Sequence, residues 1–336
     1  MNHIKVGVIG LGRIGKIHLK NLLQIPGVKV LVATDPFPEA QQFAVDLGVP
    51  SVVADYQEII TNPGIDAIII CSPTDTHFEI IQKAAAAGKH IFCEKPLDMT
   101  VEAIQQIQEI VTKAGVKLQV GFNRRFDVHF AKVREMVEQG QVGDTHILKI
   151  TSRDPGPPPI SYIERSGGLF LDMTIHDFDM ARFIVGSEVT EVYAKGAVRV
   201  DPAIGVAGDI DTAIVNLTFE DGTIATIDNS RKATYGYDQR LEIFGSKGMV
   251  NIENQQPDSH TLYNGTGIHQ PLLLDFFLER YMVAYQREMQ AFVTAIQTDA
   301  KVPVDGYDAL MATVIGLAAW KSVKENRPVK VAEIIH

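Results

Sequence analysis

Two short segments of this 336-residue chain carry groups that could move a proton off a hydroxyl. The first is Glu94-Lys95-Pro96, which follows the apolar run His90–Cys93. A lysine entering a crevice at a strand's end can donate to a substrate oxygen and depress the pKa of a neighbouring base. On an open surface the same Lys95 would be only a solvated cation. The second is Gly167-Gly168-Leu169-Phe170-Leu171-Asp172-Met173-Thr174-Ile175-His176-Asp177-Phe178-Asp179. Asp172 and His176 stand four apart across a predicted helix start, so both can project from one side of it. A carboxylate beside an imidazole fixes its tautomer and raises its basicity. The segment also allows a plainer reading, with Asp172 as an N-cap and His176 as a packed core histidine.

A third group of residues could hold a nucleotide. Gly10-Leu11-Gly12-Arg13-Ile14-Gly15 follows a predicted strand directly and opens a predicted helix. Gly10 permits the tight turn, Gly12 lets the backbone approach a pyrophosphate, and Gly15 lets helix and strand pack closely. The helix start at Arg13 and Ile14 offers unpaired N–H groups and a positive dipole end. Asp35 ends the second strand, 20 positions after Gly15. It can accept from the ribose hydroxyls of the adenosine and would repel a 2′-phosphate, or it is simply a turn residue. No Arg or Lys follows it; Pro36-Phe37-Pro38 does. The cofactor expected is therefore NAD. Ser72, Pro73 and Thr74 follow a further strand, where ligands of open α/β sheets sit, although Thr74 or Asp75 could merely cap a helix. His77 is expected to cap or pack near that turn.

Periodicity supplies the elements that would position these groups. Up to about residue 120, short unbroken apolar runs (Ile4–Ile9, Val28–Ala33, Ala67–Cys71, His90–Cys93, Leu118–Val120) alternate with helical patterns (Ile14–Gln24, Pro38–Leu47, Thr76–Ala87, Thr100–Lys113). Strands without polar alternation are buried on both faces, the mark of a parallel sheet covered by helices. Beyond Gly121 the strands alternate, as in Ala213–Phe219 and Thr223–Ile227, with Asp221-Gly222 as the turn between them. Helices are predicted at Thr174–Val185, Asp275–Thr298 and Tyr307–Lys324. The fold class is α/β: an N-terminal doubly wound Rossmann domain over 1–122, then an α+β domain over 123–336 with a large, mostly antiparallel open sheet. Asp154-Pro155-Gly156-Pro157-Pro158-Pro159 reads as a stiff loop inside the second domain.

Composition removes several classes of function. With 46% hydrophobic and 21% charged residues the chain is neither disordered nor fibrous. A net charge of −10 without a basic cluster gives no nucleic-acid footprint. Two cysteines, Cys71 and Cys93, exclude a disulfide framework and read as reduced filler in a cytoplasmic protein. No apolar run reaches the roughly 20 residues of a membrane span, and none is expected. Met1-Asn2-His3-Ile4-Lys5-Val6 runs straight into a strand pattern, so no secretory signal is expected either. No metal is expected at the site.

These motifs together resemble the Gfo/Idh/MocA oxidoreductase family over essentially the whole length. They are Gly10–Gly15 after a strand, Glu94-Lys95-Pro96, Val120-Gly121-Phe122-Asn123-Arg124-Arg125-Phe126, and Asp172 with His176. Ser152–Pro155, Asp172–Asp179, Asp228–Arg231 and Tyr235–Arg240 resemble the family's inositol-oxidising members. The resemblance implies NAD-dependent oxidation of myo-inositol at its 2-hydroxyl, with His176 as the base helped by Lys95 and Asp172. It implies a cofactor held by Gly10, Gly12, Arg13, Ile14, Gly15, Asp35, Ser72, Pro73, Thr74, Glu94 and Lys95. Arg124, Asp154 and Tyr235 are candidates for holding ring hydroxyls, since a polyol needs donors and acceptors; otherwise they are a surface ion pair, a loop cap and a core tyrosine. Many relatives carry Gly where this chain has Thr174, a departure able to reshape the pocket. A homo-oligomer, dimer or tetramer, through the second domain's sheet is also implied. Two other activities fit the residues: oxidation of a different inositol isomer or a pyranose sugar, and a catalytically silent NAD-binding regulator.

Overall fold

Ile4–Ile9 (β1) puts Val6 to Ile9 out of solvent in succession, as a strand covered on both faces must. A computed structural model describes residues 3–335; Met1 and Asn2, which open the segment read for a secretory signal, and His336 lie outside the described residues. The chain divides into two units. The first takes the described residues up to Phe126 together with Val283–Met311. The second takes Asp127–Met282 and the described residues from Ala312 on. Residues 283–311 thus belong with the first unit, whereas the sequence placed them in the second domain.

In the first unit β1, β2 (Val28–Thr34), β3 (Ser51–Val53), β4 (Ala67–Ile70), β5 (His90–Glu94) and β6 (Leu118–Gly121) form one parallel sheet in the order β3-β2-β1-β4-β5-β6. The order reverses between β1 and β4, the switch point at which open α/β sheets bind ligands. β3 was not read from the sequence, because a three-residue edge strand leaves almost no periodic signal. The core joins Val6, Val8, Leu19, Leu22 and Ile69 to Met289 and Phe292 of the helix Met282–Gln297. Two glycines set the first turn. Gly10 has φ +89°, and a Cβ there would lie 2.7 Å from the backbone of Cys71 and Ser72. A Cβ on Gly15 would come within 1.9 Å of the Gly10 carbonyl oxygen, so β1 and the helix Arg13–Gln24 can approach this closely only without one.

The second unit holds β7 (Thr145–Arg153), β8 (Val189–Ala197), β9 (Thr212–Phe219), β10 (Ile224–Ser230), β11 (Asp238–Gly245) and β12 (Gly248–Ile252). A separate hairpin pairs β13 (Leu262–Asn264) with β14 (Gly267–His269), and β15 (Val329–Lys330) closes one edge of the large sheet. Its order is β12-β11-β7-β10-β9-β8-β15. Every pair is antiparallel except β7 with β10, which makes the sheet mixed but mostly antiparallel. Strand β9 alternates strictly, with Ala213, Val215, Leu217 and Phe219 inward. The covered face turns polar in one cross-strand row, Asn229–Ser152–Gln239. The opposite face carries a row of another kind, Ile224–Ile147–Phe244–Met249. Among the described residues no helix is long and apolar enough to cross a membrane.

Candidate active site

The nucleotide motif has the geometry that its residue types require. Gly12 is the N-cap of Arg13–Gln24 and makes no side-chain cap hydrogen bond, so the first N–H groups of that helix are left without the cap that a Ser, Thr or Asp at this position would supply. A Cβ at Gly12 would meet nothing within 4 Å, which leaves open space where a pyrophosphate can approach the backbone. Asp35 is buried and ties this loop to β2: Oδ2 accepts from the Leu11 N–H at 2.7 Å and Oδ1 from the Phe37 N–H at 2.9 Å. Asp35 is therefore a turn-fixing residue as well as the candidate ribose acceptor. These residues fit a dinucleotide on the chain's own evidence.

The loops after β4 and β5 lie at the same sheet edge. Neither Thr74 nor Asp75 caps the helix His77–Ala86 with its side chain. His77 packs instead, with ring nitrogens 3.0 Å from the carbonyl oxygens of Ser72 and Pro96, so that it clips the two loops together. Burial lowers its pKa. Lys95 is half-buried, and Arg124 is buried in the turn Asn123–Phe126 rather than lying on the surface. Glu94 turns its carboxylate to His18, whose Nε2 stands 2.6 Å from Oε1. The sequence had placed Glu94 among cofactor contacts and had not singled out His18, which lies on the buried face of the first helix. Cys71 and Cys93 are free thiols whose pKa values are pushed up, chiefly by burial and secondarily by Glu94.

In the second unit Asp172 is the last residue of the short helix Gly168–Asp172, and His176 is the second of Ile175–Val185. Thr174, not Asp172, is the N-cap residue of the latter helix. The Asp172 carboxylate is fixed at both oxygens. Oδ1 accepts from the Tyr162 hydroxyl at 2.9 Å and Oδ2 from Arg231 Nη1 at 3.1 Å. Arg231 is fully buried, and its Nη2 stands 3.6 Å from Asp209 Oδ2. Asp209 in turn accepts from the Leu169 N–H at 3.0 Å, anchoring the start of the helix that ends in Asp172. Burial holds the Asp209 carboxyl above its ordinary pKa.

Tyr235 is exposed rather than packed in the core. Its hydroxyl donates to Asp238 Oδ2 at 2.6 Å and accepts from Arg153 Nη1 at 3.1 Å. Arg153 also bonds Asp228 through Nε at 2.6 Å. Burial and the Asp238 carboxylate push the phenol pKa up. Asp154 is half-buried, and its backbone is pinned by Ser230 and Ala233. The structure thus gathers Tyr235 into a network with Arg153, Asp228 and Asp238. It links Asp172 to Tyr162, Arg231 and Asp209, of which only Arg231 lay in a segment that the sequence had marked. Tyr162 and Asp209 are each distant in sequence from Asp172 and gave no local signal.

Residues 4–122 match the family described as "Oxidoreductase family, NAD-binding Rossmann fold", and residues 130–251 match the GFO/IDH/MocA C-terminal domain. The chain is 48% identical over 329 residues to an uncharacterized oxidoreductase, YrbE, of Bacillus subtilis, covering 98% of this chain and 96% of that protein. It is 47% identical over 333 residues to the myo-inositol 2-dehydrogenase of Thermotoga maritima, covering 99% and 100%. A crystal structure of scyllo-inositol dehydrogenase from Lactobacillus casei with bound NAD(H) and scyllo-inositol superposes with a TM-score of 0.92 at 36% identity, covering 98% and 100%.

The buried bridge at Arg231 makes a stability prediction. Arg231→Met leaves Asp172 and Asp209 facing each other without their shared cation. Removing one partner of a buried ion pair costs about 3–5 kcal/mol. Urea unfolding of the variant should show a loss of that order. A loss below about 1 kcal/mol would mean that water already screens the pair.

Proposed function

This chain belongs to the Gfo/Idh/MocA oxidoreductase family, and from that premise we propose that it oxidises myo-inositol at the 2-hydroxyl to the ketone, with NAD as acceptor. The likeness to a myo-inositol 2-dehydrogenase over 99% of this chain carries the reading. It is supported by the presence of Lys95, Asp172 and His176 together, which a silent regulator would not need. NAD supplies the hydride acceptor when bound. Gly10, Gly12, Arg13, Ile14 and Gly15 would hold its pyrophosphate and Asp35 its adenosine ribose, with Ser72, Pro73, Thr74, Glu94 and Lys95 along the strand ends.

In this reading His176 takes the proton of the reacting hydroxyl as general base. Asp172, fixed by Tyr162 and Arg231, orients the imidazole and steadies the charge it gains. Lys95 donates to the same oxygen as negative charge grows on it. Arg124, Asp154 and Tyr235 are assigned to the other ring hydroxyls, and Tyr235 is already oriented by Arg153 and Asp238. A second reading, preference for scyllo-inositol, is favoured by the bound ligand of the Lactobacillus casei relative, but that protein is the less similar, at 36% against 47%.

We also infer a homo-oligomer through the open face of the large sheet. Ile224, Phe244 and Met249 are 52%, 44% and 52% exposed in one cross-strand row, an apolar strip of the kind that a second copy covers.

Four outcomes follow. NADH formation across a panel of inositols and pyranoses should be fastest with myo-inositol, and His176→Ala should lower kcat roughly 10²- to 10⁴-fold, the usual size of a general-base contribution. Faster turnover of scyllo-inositol or a sugar would transfer the assignment to that substrate, and a His176→Ala variant with near-normal kcat would remove His176 as the base. Because Asp35 would oppose a 2′-phosphate, kcat/KM should favour NAD over NADP by at least about tenfold, the factor that 1.4 kcal/mol gives; equal values would leave Asp35 as a turn residue only. The double variant Ile224→Lys with Phe244→Lys should lower the mass found by light scattering to that of a smaller assembly, and an unchanged mass would place the contact elsewhere.

A further inference from the structure

The sharpest unresolved charge in the first unit lies beside Glu94-Lys95-Pro96. Glu288, on the helix Met282–Gln297, is fully buried, and neither carboxyl oxygen has a hydrogen-bond partner among the described residues. One polar atom each from Glu288, Glu94 and His18 lies within 4.8 Å of the others. His18 is also fully buried, with Nε2 2.6 Å from Glu94 Oε1 and Nδ1 without a hydrogen-bond partner among the described residues.

The walls of this cluster are tight. A Cβ at Gly121 of β6 would come within 2.7 Å of Glu94 Oε2, so the carboxylate occupies the room that this glycine leaves. The rings of Phe92 and Tyr285 stand edge-on to His18 at 5.0 and 5.7 Å. Gln119 donates to the backbone carbonyl of Glu288 at 3.0 Å and so fixes that turn of helix. Cys71, Cys93 and His77 are further titratable neighbours of Glu94; burial pushes both thiols up and the imidazole down, so each is held toward its neutral form and brings no compensating charge. One imidazole therefore serves two carboxyl groups, and it is already bonded to Glu94.

Two like charges this close and this dry cannot both persist. We propose that Glu288 works as a neutral, protonated acid, and that Glu288 and His18 are positioning residues which hold the Glu94 carboxylate, and through it the adjoining Lys95, in place. The role of Lys95 in this proposal rests on the function proposed above; the charge state of Glu288 does not. Burial and the Glu94 charge both raise the Glu288 pKa well above its ordinary value. Stability from the neutral acid is complete below the ordinary carboxyl pKa of 4.5 and drains away as pH climbs toward the raised folded value. A glutamine has the same shape, carries no charge and has no proton to lose.

The test compares wild type with Glu288→Gln. Melting temperature should fall from pH 5 to 9.5 more steeply for wild type, so that the gap moves in favour of Glu288→Gln as pH rises. With NAD and myo-inositol, Glu288→Gln should keep kcat within about threefold, Glu288→Ala should lose more, and Glu94→Gln should lower kcat by about tenfold. A melting gap independent of pH would overturn the neutral acid. So would about one equivalent of divalent metal in purified wild type that Glu288→Gln lacks, since a cation would then be balancing the carboxylates. Should Glu288→Gln fail to fold, the infrared spectrum of wild type at neutral pH decides: an un-ionised carboxyl band supports the proposal and its absence ends it. If no polyol is oxidised, the proposed function fails, while the melting and infrared results still decide the state of Glu288.

Discussion

The first unit depends on one approach of backbone to backbone. At Gly15 a single Cβ would lie 1.9 Å from the Gly10 carbonyl oxygen, and at Gly10 one would press on Cys71 and Ser72. The helix Arg13–Gln24 therefore starts hard against the ends of β1 and β4, the two strands between which the sheet order reverses. Its uncapped N-terminus, the open space at Gly12 and the Asp35 bonds to the loop are consequences of that contact. So is the placement of His18, which the same helix carries inward to Glu94.

Local pattern made much of this legible. Glycine spacing marked the turn at Gly10–Gly15 because the positive φ of Gly10 and the approach of Gly15 to the Gly10 carbonyl are demands set within a few residues. Unbroken apolar runs marked the parallel strands because both faces are covered. What stayed illegible is long-range. His18 and Glu288 look from sequence like one polar residue in each of two amphipathic helices, and only the fold makes them neighbours of Glu94. The inclusion of Val283–Met311 in the first unit is equally invisible to periodicity, since Met289 and Phe292 would suit any core. Asp172 stands near His176 in sequence, whereas two of its partners, Tyr162 and Arg231, gave no such local signal.

The two units support their candidate proton-handling residues in a similar way. Glu94, next to Lys95, is held by His18; Asp172 is held by Arg231. Buried pairs of this kind are weak evidence for stability, because desolvation consumes much of the Coulomb gain. What they supply is direction: a carboxylate with a fixed partner has few rotamers open to it. Each arrangement also carries a further buried carboxyl, Glu288 in the first and Asp209 in the second, and burial raises the pKa of both. Geometry at these sites is thus maintained against an electrostatic cost borne by a third group.

Thr174 shows how a hydroxyl is accommodated in a fully buried position. It is fully buried, and its hydroxyl donates to Asn229 Oδ1 at 2.8 Å. At the other end of the amide, Asn229 Nδ2 donates to Asp177 Oδ2 at 2.9 Å and to the Ser152 carbonyl at 3.2 Å. With glycine at 174, Asn229 Oδ1 would lose this donor, and the amide would be held from one end only. The extra side chain is spent on the polar row Asn229–Ser152–Gln239 beneath the helix that bears His176. Thr174 thus braces that row and the Asp177 turn next to His176.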